Sequence, residues 1–347
     1  MVNRTARPPR PSLRTLPLGL QHYRPGQFEA LHQAGARIVT ASGVPALLGQ
    51  SRFASRYAYM AHLAGLARLE VADGPHIVRG KVLEQAAIAQ LLPGERPQWQ
   101  PHQVRALAHC PGLAGFCASP DGLVWDAERP DAGWGIIEAK TVGATVFQRD
   151  WLGAIPVDIQ LQHQAQFACT GASWGAIILL IFGEWRFDLL VFDTAPRADV
   201  IAVLREQVAG DLAMLDRGEM PDPDATDSTV RALLRVYPHA LSGKSVDLPE
   251  REEDEAIRRM QRMAQARLDR LAAEKVEDAC RNWFLVRARD ASRLRIGQQA
   301  EVRIASVRRS RKVIEAGTER RLTLHDHVED TTSEDAPPSV DMLPPLF

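Results

Sequence analysis

Runs of apolar and polar residues divide the first two thirds of the chain into alternating helices and strands. Apolar residues recur at helical spacing over 55–70 and 79–92, which predicts two helices. The chain is then rich in strand-forming residues over 103–142. A further helix is expected over 160–169, ending near Gly171, because glycine commonly terminates a helix.

A pair of strands and two more helices complete this region. The apolar runs 174–182 and 185–192 flank Gly183-Glu184, which predicts a buried hairpin. Helices are expected at 196–216 and 229–237. Helices on both sides of a mixed central sheet predict an α/β (α+β) fold.

The remaining segments differ from this core in composition. Residues 1–24 are rich in proline and arginine and predict a disordered basic arm, which leaves 25–240 as the main domain. Residues 248–283 predict a charged helix, 284–327 a small basic β appendage with a hairpin near Ala316-Gly317, and 328–347 an acidic disordered tail. The charged helix has a narrow apolar stripe suited to packing on another helix; it consists of Ile257, Met260, Ala264, Leu268 and Leu271.

Composition excludes several classes of protein. The apolar and charged fractions, 45% and 24% of 347 residues, are those of a globular protein, and no apolar run has membrane-spanning length. The four cysteines lack zinc-site spacing and are expected to be reduced thiols in a cytoplasmic protein. The net charge of −1 hides a basic start and an acidic end, a pattern that fits both a DNA-binding protein and ordinary solvated termini.

The strongest chemical signal is a pair of carboxylates with a lysine. Asp121 lies in the turn Ser119-Pro120-Asp121-Gly122, and Glu138-Ala139-Lys140 ends an apolar strand. Glu138 and Lys140 share one face of that strand because side chains alternate with period two. If the intervening segment folds back as a hairpin, Asp121 joins them, and the cluster has the groups that a magnesium-dependent phosphodiesterase needs. Taken alone, Asp121 is equally well explained as a turn residue.

The order of motifs resembles a known nuclease family. The Asp121, Glu138 and Lys140 spacing is typical of PD-(D/E)XK nucleases, with a restriction-endonuclease-like core. Arg79 to Glu84 precede this motif, and 160–164 with Thr170-Gly171 follow it. With Thr40-Ala41-Ser42 upstream, the series resembles the YqaJ-type viral recombinase family, which is lambda exonuclease-like, over about residues 28–240.

The resemblance implies a DNA exonuclease of phage-type recombination. It would degrade linear duplex DNA, from 5′ to 3′, and leave 3′ single strands for a single-strand annealing protein. A trimeric ring is expected by analogy with lambda exonuclease. The alternatives are an endonuclease of the same superfamily and a non-catalytic DNA-binding scaffold. A related nuclease type with an iron–sulfur cluster is disfavoured because the cysteines are not grouped.

The resemblance also assigns roles to individual residues. Asp121, Glu138 and the Ala139 carbonyl would hold a catalytic Mg²⁺, for which Mn²⁺ would substitute, and Glu84 would reach the same metal site. Lys140 would position or activate the attacking water and stabilise the developing phosphorane charge, and Gln162 would line the site. Carboxylate and carbonyl oxygens are the ligands that Mg²⁺ prefers.

Binding of the DNA end is expected from the segment around Thr40. Ser42, Thr40 and Arg37 are the candidate DNA-binding residues, since a helix start with a hydroxyl suits a phosphate. The family's arginine before this motif is replaced here by Ala34-Gly35-Ala36, and Arg37 is shifted in phase. Ser42 is equally well explained as a helix N-cap. The tail 341–347 is hypothesised to dock on an annealing protein or a replication factor.

Overall fold

The computed structural model describes residues 16–23, 36–69, 74–183, 187–240, 242–296 and 300–304. The chain divides into two compact units, Met1–Pro238 and His239–Phe347. The strands of the described residues are β1 (Gln21–His22), β2 (Val39–Thr40), β3 (Trp99–Gln103), β4 (Ala106–His109), β5 (Phe116–Ala118), β6 (Gly122–Asp126), β7 (Trp134–Gly143), β8 (Gly175–Phe182), β9 (Phe187–Thr194), β10 (Arg293–Ile296) and β11 (Ala300–Arg303). The α-helices of these residues are α1 (Val44–Leu47), α2 (Arg56–Leu63), α3 (Pro75–Ala86), α4 (Leu92–Glu95), α5 (Ala144–Val146), α6 (Val157–Thr170), α7 (Ala198–Asp216), α8 (Asp227–Val236) and α9 (Glu250–Ala288).

A mixed five-stranded sheet forms the centre of the first unit. Its strand order is β3-β6-β7-β8-β9, and only the β7–β8 pair is parallel. The parallel pair is connected through helix α6, as parallel neighbours require a crossover. A second sheet has the order β1-β4-β5-β2. Mixed sheets flanked by helices confirm the fold class predicted from the sequence.

The two faces of strand β7 pack against different elements. Ile137 and Ala139 belong to a core cluster with Ile88, which follows α3 along the chain. Ile136, on the opposite face, clusters with Phe167 of α6. Side chains alternate along a strand, so Glu138 and Lys140 lie on the same face as Ile136 and meet α6. This alternation places the polar end of β7 beside the glutamines of that helix.

Several predicted helices have different bounds in the structure. The helix expected over 55–70 covers only Arg56–Leu63, with Ser55 as its N-cap, whose hydroxyl accepts a hydrogen bond from the Ala58 N–H at 3.0 Å. The helix expected from residue 79 already begins at Pro75, because proline suits the first turn. It continues past 92 through a π-helical turn, Ala87–Leu91, into α4.

The prediction that Ser42 caps a helix is wrong. A 3₁₀ turn, Ala41–Gly43, leads into α1, and Gly43 occupies the N-cap position of α1 with no side-chain cap. A side chain on Gly43 would clash with Tyr59, whose hydroxyl oxygen would lie 1.9 Å from an added Cβ. The close approach of Tyr59 therefore excludes a side chain at position 43, and the Ser42 hydroxyl contacts Thr40 Oγ1 at 3.1 Å.

The structure tests only part of what the sequence predicts for the N- and C-terminal segments. Residues 16–23 of the expected disordered arm are ordered, since β1 pairs antiparallel with β4 and Leu20 is buried. In the second unit, α9 is followed by β10 and β11, an antiparallel pair. The hairpin expected near Ala316-Gly317, the acidic tail and the docking peptide lie outside the described residues. None of the helices in the described ranges combines the length and apolar character needed to span a bilayer.

Candidate active site

The β6–β7 hairpin brings Asp121 against the end of strand β7. Gly122 pairs with Ile137, and the Asp121 N–H donates to the Ile137 carbonyl at 3.0 Å. Strand β7 continues beyond this pair, and the Ala139 N–H donates to Asp121 Oδ2 at 2.8 Å. The predicted fold-back of Asp121 onto Glu138-Ala139-Lys140 is therefore present.

Glu138 is a buried carboxylate with three protein donors. Its relative exposure is 1%. Oε1 accepts from Lys140 Nζ and, at 2.6 Å, from Gln162 Nε2. Oε2 accepts from Gln166 Nε2 at 2.5 Å. A buried charge is costly unless it is paired and hydrogen-bonded, and here both conditions are met.

A chain of hydrogen bonds extends from Glu138 through α6 to strand β9. Because the Gln166 amide nitrogen donates to Glu138, its oxygen accepts, and His163 Nδ1–H donates to it over 2.8 Å. His163 Nε2 then accepts from the Thr194 hydroxyl at 2.8 Å. Burial lowers the pKa of His163, which favours the neutral ring that this pattern requires. The chain holds Gln166 in the orientation that Glu138 needs.

Glu84 approaches the same cluster from helix α3. The helix passes close to β7, where an added Cβ on Gly80 would lie 3.6 Å from Thr141 Oγ1. Burial raises the pKa of Glu84, Lys140 lowers it and Glu138 raises it further. The Glu84 carboxyl group thus lies within the electrostatic field of both β7 residues.

The cluster of Asp121, Glu138 and Lys140 is largely buried and contains more acidic than basic groups. Burial and the Glu138 carboxylate raise the pKa of Asp121 from 3.8 to about 8. Burial alone would lower the pKa of Lys140, but the Glu138 and Asp121 carboxylates outweigh it and raise that pKa. Lys140 is therefore held as an ammonium ion, whereas Asp121 retains its proton near neutral pH when no other cation is close.

The carboxylate and carbonyl oxygens of this cluster suit a divalent cation in chemical type. Their arrangement in the structure, however, is not that of a complete metal site. Among the described residues no three His, Cys, Asp or Glu side chains are placed to hold a metal as they stand. Both Glu138 oxygens and Asp121 Oδ2 instead accept hydrogen bonds from protein donors. Asp121 is nevertheless destabilised as an anion by its neighbours, and a hard cation would relieve this repulsion. The residues present therefore fit Mg²⁺ in chemical type.

An open cavity of about 670 Å³ adjoins the cluster. Lys140 and Gln162 line it on the side of the carboxylates, and Ser42 lines it on the side of the 3₁₀ turn. Arg52 and Arg149 add positive charge, partly balanced because Arg52 pairs with Asp150 at 2.7 Å and Asp158 at 3.2 Å. The volume lies within the range usual for ligand sites.

The three candidate DNA-binding residues are placed differently. Ser42 is exposed and lines the cavity. Thr40 supports it through the hydroxyl contact of 3.1 Å. Arg37 is not among the residues that line the cavity and pairs with Asp216 of α7 at 2.6 Å. Of the three, Ser42 is the one beside the carboxylate cluster.

Three residues at the candidate site were not identified from the sequence: Gln166, Arg52 and Arg149. Gln166 follows Gln162 by four residues, so both lie on one face of α6, and that spacing was a usable signal. Arg52 and Arg149 are far apart in the sequence and meet only through Asp150, since Arg149 Nε also bonds to it at 2.7 Å. The sequence contained no signal for that pairing.

The sheet and the cluster together define a class of protein. A mixed sheet whose hairpin sets Asp121 beside Glu138-Ala139-Lys140 is the core of a PD-(D/E)XK nuclease. Residues 27–173 match the model of the YqaJ-like viral recombinase domain, so this part of the chain is similar to that family. The site geometry and this match support a nuclease of the phage recombination type.

Solved structures with similarity to the chain include an alkaline exonuclease. LHK-Exo from Laribacter hongkongensis is 29% identical with a TM-score of 0.44, and the match covers 55% of this chain and 93% of that chain. The structure of LHK-Exo in complex with dAMP gives 28% identity and a TM-score of 0.45, with the same coverage. No curated protein gives a significant match.

Proposed function

We propose that the protein is a Mg²⁺-dependent exonuclease that degrades linear duplex DNA from 5′ to 3′ and leaves 3′ single strands for an annealing protein. The observation that carries the proposal is the cluster of Asp121, Glu138 and Lys140 beside an open cavity. The YqaJ-like domain supports the exonuclease reaction and the phage context. Polarity and the annealing partner follow from the family resemblance.

Asp121, Glu138, Glu84 and the Ala139 carbonyl would hold the metal ion. A bound Mg²⁺ supplies Lewis acidity and charge neutralisation at the scissile phosphate. Glu138 is presented in one orientation because Gln162 and Gln166 fix its two oxygens. Asp121 must lose its proton to act as a ligand, so the site gains ligand strength as the pH rises.

Lys140 contributes a fixed positive charge. Its pKa is raised by the neighbouring carboxylates, so it remains protonated and is unsuited to remove a proton from water. An ammonium ion beside the reacting phosphate stabilises the negative charge that grows on it during hydrolysis. Lys140 also lines the cavity, which is where the DNA strand would enter.

The DNA end would occupy the cavity between Ser42 and Lys140. Arg52 and Arg149 would attract the phosphate backbone by charge, and the Ser42 hydroxyl would donate a hydrogen bond to a phosphate oxygen. Arg37 is less suited than Ser42 to bind the DNA end because its guanidinium group already forms an ion pair with Asp216.

Linear duplex DNA labelled at the 5′ or the 3′ end, compared with a closed circle, tests the proposal. Wild-type protein should release the 5′ label from linear DNA only with Mg²⁺, and Glu138→Ala should release none. Glu128→Ala is the matched control, since Glu128 is an exposed acid in the turn of the same hairpin. Cleavage of the circle would make the protein an endonuclease, and cleavage of nothing would leave a DNA-binding scaffold.

A further inference from the structure

Helix α9 exposes a long apolar stripe. The helix has 39 residues, and within it only Glu255, Ala256, Met260, Phe284 and Ala288 are not exposed. Large apolar side chains are among the exposed ones: Leu268 is 61% exposed and Val286 73%. Exposed apolar surface on this scale is typical of an interaction site.

The stripe is continuous and nearly straight. Its first half comprises Ile257, Met260, Ala264, Leu268 and Leu271. Its second half comprises Ala272, Lys275, Ala279, Trp283 and Val286. Within each half the steps are three and four residues, and a single-residue step from Leu271 to Ala272 joins the halves. All ten then lie within roughly 140° of the circumference of a helix with 3.6 residues per turn. At about 1.5 Å per residue, the stripe is roughly 44 Å long.

The stripe is symmetric about its midpoint. Its members lie in pairs at equal distances from the point between Leu271 and Ala272: Ile257 with Val286, Met260 with Trp283, Ala264 with Ala279, and Leu268 with Lys275. A face with this symmetry matches itself when a second copy is turned end for end. Such an isologous contact closes with two copies.

The charges of the helix are complementary in the same arrangement. Residues 250–255 hold five acids and one arginine and would extend beyond the stripe, past the end of the partner's helix at Ala288. Residues 258–270 hold five arginines and one aspartate, and they would lie opposite 273–285, which hold three acids and two basic residues. A parallel pair would instead set each charged block against its own copy, which is repulsive.

The paired side chains are also matched in size and chemistry. Met260 would meet Trp283, a sulfur–aromatic pair, and the two alanines would allow close approach. Lys275 would lay its aliphatic stem along Leu268 and keep its ammonium group in water. We propose that α9 pairs antiparallel with α9 of a second copy of this chain through the stripe centred between Leu271 and Ala272.

Substitutions on and off the stripe test the pairing in the full-length protein. Leu271→Glu sets a carboxylate opposite Ala272 at the centre of the stripe, where Leu271 is 43% exposed. It should lower the mass measured by light scattering or sedimentation, to half where the pair joins two otherwise separate particles. Met263→Glu is the matched control, because Met263 is 44% exposed on the same helix but lies outside the stripe, and it should leave the mass unchanged. Equal effects of both variants, or no effect of either, would overturn the proposal.

Cross-linking tests the register and the direction. In a Cys280→Ser background, Ala264→Cys and Ala279→Cys proteins should form a disulfide-linked heterodimer when mixed and oxidised, while each protein alone should stay unlinked. Cross-linked homodimers of Ala264→Cys would indicate parallel pairing and contradict the proposal. The absence of any intermolecular link would mean that the stripe packs on another part of its own chain or on a different protein, and would contradict it too.

Discussion

At the scale of single residues, the candidate site is defined by an imbalance of charge. Three carboxyl groups, Glu84, Asp121 and Glu138, face one ammonium group, that of Lys140. Glu138 is satisfied by three donors, whereas burial and Glu138 itself disfavour the Asp121 anion. Asp121 is therefore the group whose protonation decides how well the site would attract a cation.

Without metal, ionisation of Asp121 should make the folded protein less stable as the pH rises. Its folded pKa of about 8 lies above the reference value of 3.8, so the folded state binds this proton more tightly. The stabilisation is complete below pH 3.8 and is lost as the pH rises through 8, with a slope of at most about 1.4 kcal/mol per pH unit. Denaturation with EDTA present, from slightly acidic to alkaline pH, measures the slope.

Asp121→Asn is the control for this titration, since an amide cannot ionise. Its stability should fall less steeply over the same range. Added Mg²⁺ should stabilise the wild-type protein more at alkaline than at acidic pH, because the proton competes with the metal. Parallel stability curves for wild type and Asp121→Asn would contradict the assigned pKa of Asp121.

The sequence predicted the chemistry of these residues but not all their partners. Asp121, Glu138 and Lys140 were predictable because a turn and the period-two alternation of one strand fix their arrangement. Gln166, which bonds to Glu138, was not identified, since that contact depends on which helix lies over β7. Ser42 was identified, but its N-cap role was wrong because it lies within a 3₁₀ turn and Gly43 takes the N-cap position of α1.

At the scale of elements, helix α6 and the β6–β7 hairpin position the site. Helix α6 ends at Gly171, which has a positive φ of 67° and permits the left-handed cap. That end was predicted from the sequence, as were the strands around Gly183. The π-helical turn at Ala87–Leu91 was not predicted. Pro93 lacks a backbone N–H, and the helix accommodates it through this wider turn instead of stopping.

The face of α6 that meets β7 should control the affinity for metal. Gln166→Leu removes the donor to Glu138 Oε2 and the acceptor for His163. Because groups that orient a metal ligand tune its affinity, the half-saturating Mg²⁺ concentration should rise about 10- to 100-fold. Activity measured against Mg²⁺ concentration tests this, and high Mg²⁺ should restore most of the rate.

Gln160→Leu is the matched control on the same helix. Gln160 is exposed, and its amide donates to the Ile155 carbonyl at 2.7 Å instead of to the site. Its Mg²⁺ dependence should equal that of the wild type. If Gln166→Leu lowered the rate equally at all Mg²⁺ concentrations, its role would be in folding and not in positioning Glu138.

At the scale of the whole molecule, the chain combines a unit that contains the carboxylate cluster with a second unit built on α9. The sequence predicted the fold class and the charged helix, whose stripe extends further than the five residues first apparent. The order of strands in the sheet could not be read from the sequence, because the same apolar runs suit several pairings. The parallel β7–β8 pair, which brings α6 over Glu138, is one result of that order.

The central claim is that Asp121 and Lys140 act together with Glu138 in hydrolysing DNA ends. Single-turnover degradation of end-labelled linear duplex, with Mg²⁺ and saturating protein, tests it most directly. Asp121→Asn and Lys140→Met should each reduce the rate by at least about a hundredfold, while both still bind the DNA in Ca²⁺. Glu128→Ala should degrade the DNA at the wild-type rate. If both site variants degraded the DNA within a few-fold of the wild type, the cluster would not be the active site.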